Sequence, residues 1–317
     1  MKEENHTAGE SSAGADAGGD QPEELGGWTE NDWQGLLLYI RHGRCTPFLG
    51  AGASDPVLPL GGDVAEIWAR EHKYPFPDKR NLPRVAQYVD VAMGKSTSKL
   101  LLTDMFAGLG EPDFGDLNEP HRVMADLGLP VYITTNYDDF MASAIERGTT
   151  PRTPQRVFCK WYMEPDASVA AQYDAITATP ESPVVFHLHG TLKVLESMVL
   201  TEDDYLDFLM NSSIEPKIIP SRIERAFTET SLLFMGYSLE DMNFKVLFRR
   251  ITAYMKRSTI TNHVSVQLAP VPGETIDEQI ERAKDQKEYL ERRFNLQGIK
   301  IYWGSCSKFA RELRKRL

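Results

Sequence analysis

TPFLGAGASDP, residues 46–56, decides how the rest of the chain is read. An apolar run, Cys45–Leu49, stops at Gly50-Ala51-Gly52-Ala53-Ser54, so bulky side chains disappear where the chain has to turn. A strand that ends in Gly-x-Gly and leads toward a helix lets main-chain N–H groups come close to a pyrophosphate, because a side chain at either glycine would collide with it. The third glycine of a G-x-G-x-x-G run is missing, its place falling on Asp55. Taken alone, the two glycines are therefore explained equally well by a plain tight turn.

Working outward, five more short runs share the near-continuous apolar character: Val131–Thr134, Val184–Leu188, Leu232–Met235, Val264–Leu268 and Ile299–Trp303. Strands covered on both faces read this way. Amphipathic stretches separate them, which predicts the α/β class: a Rossmann-like, doubly wound parallel sheet of about six strands with a helical insertion subdomain. Thr29 followed by Asp32 resembles a capping box, and Trp33, Leu36, Leu37 and Ile40 then recur at helical spacing, predicting a helix over Glu30–Arg41. Helical patterns at Val64–Glu71, Pro83–Ala92, Lys95–Phe106 and Pro120–Leu127 fill the insertion, at about residues 60–128. Arg152–Pro183, rich in Pro, Ala and Thr with weak periodicity, reads as a loop or a lid. Residues 1–26 are rich in Gly, Ala, Ser and Glu and hold no aromatic residue, so they read as a disordered acidic tail before a single domain at 27–317.

Composition narrows the class further. A chain of 317 residues with 41% hydrophobic content has ample material for a core. Its longest apolar runs fall far short of the roughly 20 residues a membrane span needs, and no basic-then-apolar leader opens it, so a soluble, cytoplasmic protein is expected. Cys45, Cys159 and Cys306 lie far apart and form no C-x-x-C pair, which argues against a disulfide framework or a zinc knuckle. The net charge of -11 disfavours a broad nucleic-acid surface. KFARELRKRL at the C-terminus, with five bases against one acid, reads as a solvated face of the last helix.

Three further stretches, ITTNYDD, FHLHGTL and FMGYSLED, each sit at the C-terminal end of a predicted strand, the edge at which an open parallel sheet binds its ligand. Asn136 offers both an amide donor and a carbonyl acceptor to a sugar or a water. Asp138 and Asp139 open the next helix, where carboxylates suit the helix dipole. His189 ends its strand beside Gly190, with His187 alternating with it. Gly236 and Ser238 mark a second close main-chain approach, with Asp241 and Asn243 placed to start a following helix. Capping and turn chemistry explain each stretch singly, and a shared ligand explains their convergence on one edge.

GAGAS, TTNYD, HLHG and GYSLED, in that order over roughly Thr46 to Asn243, resemble the signature of the sirtuin-like superfamily, in the bacterial branch whose members cleave NAD. The resemblance implies that the backbone of Gly50, Ala51, Gly52 and Ser54 holds the pyrophosphate. It also implies that Thr135, Asn136 and Asp138 line the nicotinamide-ribose pocket, that His189 is the catalytic base, and that Gly236 and Ser238 contact the adenosine side. NAD is then a substrate, and no metal is required. Deacylating sirtuins insert a zinc module with two C-x-x-C pairs between the last two motifs. Gly190 to Met235 contains no cysteine and offers the acidic helical stretch LTEDDYLDFLMNSSIEP instead, which favours hydrolysis by water over deacylation. The Asp-Phe-Arg run of deacylases is also missing, and Asp55 and Asp63 are the candidates to replace it. Members of this branch resemble abortive-infection effectors against phage. Control is expected from self-assembly or from a partner such as a hexameric ATPase/DNA translocase or an Argonaute-like protein, and Leu36, Leu37, Phe244, Leu247 and Phe248 are candidates for an oligomer face, with core burial as the alternative. A non-catalytic NAD or ADP-ribose sensor and an NAD-dependent deacylase are the rival functions.

Overall fold

Strand residues that point alternately to two faces must be apolar on both when helices cover both. In the computed structural model, which describes residues 28–163, 167–214, 218–238, 249, 251, 262–269 and 276–317, this is how each central strand is used. Cys45 and Leu49 of β1 (Cys45–Leu49), Tyr132 of β2 (Val131–Thr134) and Leu233 and Met235 of β5 (Ser231–Met235) face one layer. Their alternates Phe48, Val131, Ile133, Leu232 and Phe234 face the other. With β3 (Gln155–Phe158), β4 (Val184–His187), β6 (His263–Gln267) and β7 (Ile299–Trp303) they form one parallel sheet in the order β3-β4-β2-β1-β5-β6-β7.

Helix α1 (Glu30–Arg41) precedes β1, and α2 (Gly61–Glu71), α3 (Leu82–Met93), α4 (Thr97–Ala107) and α5 (Pro120–Asp126) lie between β1 and β2. Helices α6 (Phe140–Glu146) and α7 (Ala167–Asp174) flank β3, α8 (Glu202–Ile214) and α9 (Ser221–Glu229) precede β5, α10 (Ile276–Asn295) precedes β7, and α11 (Cys306–Arg314) follows it. The first layer is built from α1, α5, α6 and α11, and the second from α8, α9 and α10. The chain leaves β1 toward β2 on one side and reaches β5 on the other, so the winding reverses at β1 and opens a crevice beyond its carboxyl end. No helix among the described residues is long and apolar enough to cross a membrane.

The capping box forms as expected: the Thr29 N–H donates to Asp32 Oδ2 at 2.8 Å, opening α1. Its apolar stripe carries Trp33 into the first layer, stacked on Phe309 of α11 with ring centroids 5.4 Å apart. Lys308, Arg311 and Lys315 are exposed, while two other C-terminal bases are used within the chain. Arg314 Nη1 pairs with Asp126 at 2.5 Å, and the Arg316 guanidinium lies 4.4 Å over the Trp33 ring. Trp33→Ala is expected to cost about 3–5 kcal/mol, read as a fall in the denaturant midpoint at unchanged slope, because it empties a site closed on every side.

Two expectations are corrected. Arg152–Pro183 is not a plain loop, since it contains β3 and α7. β3 is an edge strand paired only with β4, so it carries polar residues that hide it from a search for apolar runs. Arg156 pairs with Asp139 and Glu146, and the Gln155 carboxamide donates to the carbonyls of Thr177 and Ser182. Leu36 and Leu37 are buried core residues and offer no oligomer face, whereas Phe244, Leu247 and Phe248 lie outside the described residues, as do the acidic tail and the helix start at Asp241 and Asn243.

Candidate functional site

The register of the sheet assembles the four motifs. Leu49 lies opposite both Thr134 and Met235, and Thr134 lies opposite His187. The residues just past these ends therefore share one edge. A cavity of about 790 Å3 opens there, bordered in sheet order by His189 after β4, Asn136 after β2, Ala51 after β1, Gly236 after β5, Gln267 ending β6 and Ser305 after β7. Six adjacent strand ends, spaced roughly 4.8 Å apart, suit an elongated ligand with several separately recognised groups.

The glycines of GAGAS serve contact between loops. A Cβ on Gly52 would stand 2.9 Å from the Gly236 Cα, and one on Gly50 would stand 2.8 Å from the Tyr237 ring. Gly236 has φ +79°, and its own Cβ would meet the Ala53 nitrogen at 2.3 Å. The loops lock through Gly50 N–H to Met235 O at 2.8 Å and Gly52 N–H to Gly236 O at 3.0 Å, while the N–H groups of Ala53 and Ser54 close a turn on Gly50 O and Ala51 O. Within Gly50–Ser54 these bonds leave the Ala51 N–H as the donor with no acceptor among the described residues.

Asn136 is held through its backbone and its amide nitrogen. Its N–H donates to Thr134 Oγ1 at 2.9 Å, its carbonyl receives the His187 Nδ1–H at 3.1 Å, and its Nδ2 donates to Gly50 O at 3.2 Å and to Ser54 Oγ at 3.1 Å. Because Gly50 O is purely an acceptor, the amide nitrogen must face it, and the Oδ1 is left without a donor among the described residues. The Ser54 hydroxyl in turn donates to Asp138 Oδ2 across a long 3.5 Å, and Asp138 Oδ1 accepts the Phe140 N–H at 2.9 Å. Burial pushes the Asp138 carboxyl up, opposed by the charge of nearby His121, and burial pushes His187 down. Ser54 and Asp138 thus act on Asn136 through its amide group.

His189 has a different environment. It is buried, with the rings of Tyr205 and Phe208 edge-on at 5.4 and 5.3 Å. With no charged neighbour among the described residues to offset its burial, its pKa falls to about 3. The imidazole is neutral at physiological pH. Its backbone carbonyl accepts the Val199 N–H at 3.0 Å, which pins the residue to the loop that follows.

Thr135, Gly236 and Ser238 line the cavity as well. The Tyr237 hydroxyl donates to Leu49 O at 2.7 Å, so the Thr135 hydroxyl, 2.9 Å away, donates to Tyr237. Of the two acids left open, Asp55 lines the cavity, whereas Asp63 is paired with Arg80 at 2.6 Å. Sequence reasoning did not assign Tyr237, Tyr205 or Gln267. Tyr237 stood inside a quoted motif and Gln267 one residue before the end of a predicted strand, so adjacency to strand ends was the available signal; Tyr205 lay in the quoted acidic helical stretch, where nothing pointed to the cavity. Cys45 and Cys306 are buried thiols pushed up to about 12 by burial. Among the described residues, no group of three or more His, Cys, Asp or Glu is placed to hold a metal ion.

A family model described as a SIR2-like domain matches residues 130–297, more than half of the chain. Among curated proteins, the chain is similar to a NAD(+) hydrolase ThsA from Cytobacillus dafuensis, 26% identical over 222 residues that cover 69% of this chain and 40% of the relative. It is also similar to proteins of the same name from Bacillus cereus (strain MSX-D12), 23% identical over 187 residues, 58% of this chain and 36% of the relative, and from Acinetobacter baumannii (strain 532279), 21% identical over 275 residues, 85% and 52%. The chain thus spans about half or less of the length of the curated relatives it matches.

Proposed function

The chain belongs to the SIR2-like domain family, and from that premise we propose that it hydrolyses NAD at the nicotinamide glycosidic bond, releasing nicotinamide and ADP-ribose. The observation that carries the reading is the pairing of Asn136 and His189 on neighbouring strand ends of one cavity, one with an unengaged carbonyl oxygen and the other a neutral imidazole. The name NAD(+) hydrolase of the similar proteins supports it.

Cleavage of the C1′–N bond sends its electron pair to the pyridinium ring, so nicotinamide leaves neutral and positive charge develops on the ribose. The Asn136 Oδ1 accepts a hydrogen bond from a ribose hydroxyl or from the attacking water and fixes its approach. As the water oxygen bonds to cationic C1′, the water becomes strongly acidic. A weak base then suffices, and neutral His189 takes the proton. The apolar rings beside His189 keep bulk water from solvating the developing charge.

Purified full-length chain incubated with NAD tests this by chromatography of nicotinamide and ADP-ribose. Release without any acylated peptide is expected. Bound ADP-ribose with no nicotinamide formed would identify a binding module instead, and release that requires an acetylated peptide would identify a deacylase. Asn136→Ala is expected to lower turnover about 100-fold or more while the protein stays folded, with a modestly lowered thermal midpoint because Gly50 O and Ser54 Oγ lose a buried donor. By its resemblance, the activity serves anti-phage abortive infection and is held in check by assembly with a partner protein. Stimulation of NAD loss by such a partner is the corresponding measurement.

A further inference from the structure

A diphosphate entering the cavity meets a predominantly acidic wall. Among the described residues, Asp55, Asp78 and Asp138 line it and Arg80 is the sole lysine or arginine that does. Arg80 sits in the turn between α2 and α3. Its Nη1 donates to Glu66 Oε2 at 2.5 Å and its Nη2 to Asp63 Oδ1 at 2.6 Å, both on α2. Gly62 leaves room for it: a Cβ there would stand 3.1 Å from Arg80 Nη2. All three charged side chains are about half exposed, at 60% for Arg80, 45% for Asp63 and 56% for Glu66. Ion pairs that wet contribute little, so exchanging them for another anion costs little. A guanidinium matches the oxygens of a phosphate as well as it matches carboxylates, and a diphosphate brings more charge to the same fork.

We propose that Arg80 is a diphosphate-binding residue of the cavity and that Asp63 and Glu66 compete with the ligand for it. This rests on the reading of the cavity as a NAD site and adds a group that none of the four motifs contains. The carboxylates hold the guanidinium at the rim when the cavity is empty of diphosphate and release it to the ligand on binding. Affinity is set by the difference between the two partnerships.

Competition predicts opposite signs for two ways of breaking the same ion pair. In calorimetric titrations of the full-length chain, Arg80→Gln is expected to weaken ADP-ribose binding about 10-fold while leaving adenosine, which has no phosphate, unaffected. The double variant Asp63→Asn, Glu66→Gln is expected to tighten ADP-ribose binding. Arg147→Gln removes an equal charge from a residue paired with Glu111, neither of which lines this cavity, and is expected to change neither titration. If Arg80→Gln and the double variant weaken ADP-ribose alike, or neither shifts it, the pair is merely structural and the proposal is overturned. Wild-type protein that binds neither ADP-ribose nor adenosine would overturn the NAD site itself, a result distinct from adenosine binding with Arg80-independent ADP-ribose affinity.

Discussion

His189→Ala abolishes nicotinamide release from NAD, to a residual rate about 100- to 10,000-fold below that of the unmodified chain, while the protein stays folded: this is the expected result. The side chain makes no hydrogen bond or ion pair among the described residues, so its removal costs packing against Tyr205 and Phe208 and breaks no polar network. The fold survives and the proton acceptor is lost. The pH profile supplies a second readout. With a folded pKa of about 3, the imidazole remains neutral across the range in which a free histidine titrates, so the release rate should show no acid limb from His189 between about pH 5 and 8. Stability behaves differently. The unfolded chain takes up this proton near pH 6.5 and the folded chain only near 3, so the stability that His189 contributes is fully present above about 6.5 and declines as pH falls toward 3. An acid limb near pH 6.5 that disappears in His189→Ala would contradict a dry histidine pocket.

Gly190→Ala, one residue further on, is expected to destabilise the fold and disturb the site together. Gly190 has φ +84°, and a Cβ would stand 2.0 Å from the Ser197 carbonyl oxygen. Ser197 cannot retreat: its carbonyl accepts the Trp161 indole N–H at 2.7 Å and its hydroxyl accepts the Thr191 N–H at 3.0 Å. Strain and collision together should destabilise by at least about 2 kcal/mol and loosen the loop that seats His189. Gly43→Ala supplies the control. Gly43 also has positive φ, +65°, but nothing lies within 4 Å of its Cβ position, so that substitution should cost only about 1 kcal/mol. Equal losses in denaturant melts of the two variants would refute the collision at Ser197.

Local pattern carried much of the architecture. Six of the seven strands were legible: the five inner ones are buried at every position, and β7, although an edge strand with exposed Lys300, keeps Ile299, Ile301 and Tyr302 buried. The helix at Glu30–Arg41 announced itself by its cap and its stripe. β3 did not, since an edge strand beside solvent fills its faces with Gln155 and Arg156, whose partners lie up to 27 residues away.

The site divides in the same way. The residue types at the strand ends, Gly50, Asn136, His189 and Gly236, are written in the sequence because each follows a recognisable apolar run. What those residues touch is not. The glycines are excluded from larger side chains by each other's loop, the Asn136 oxygen is unengaged because Gly50 O claims the amide nitrogen, and the neutrality of His189 comes from rings on α8. Hydrophobic period and turn chemistry act between neighbours in the chain, so the sequence by itself determined the layers and the list of edge residues. Crowding, hydrogen-bond competition and desolvation act in the site between residues up to 188 positions apart, from Leu49 to Tyr237, and only the tertiary structure decided them.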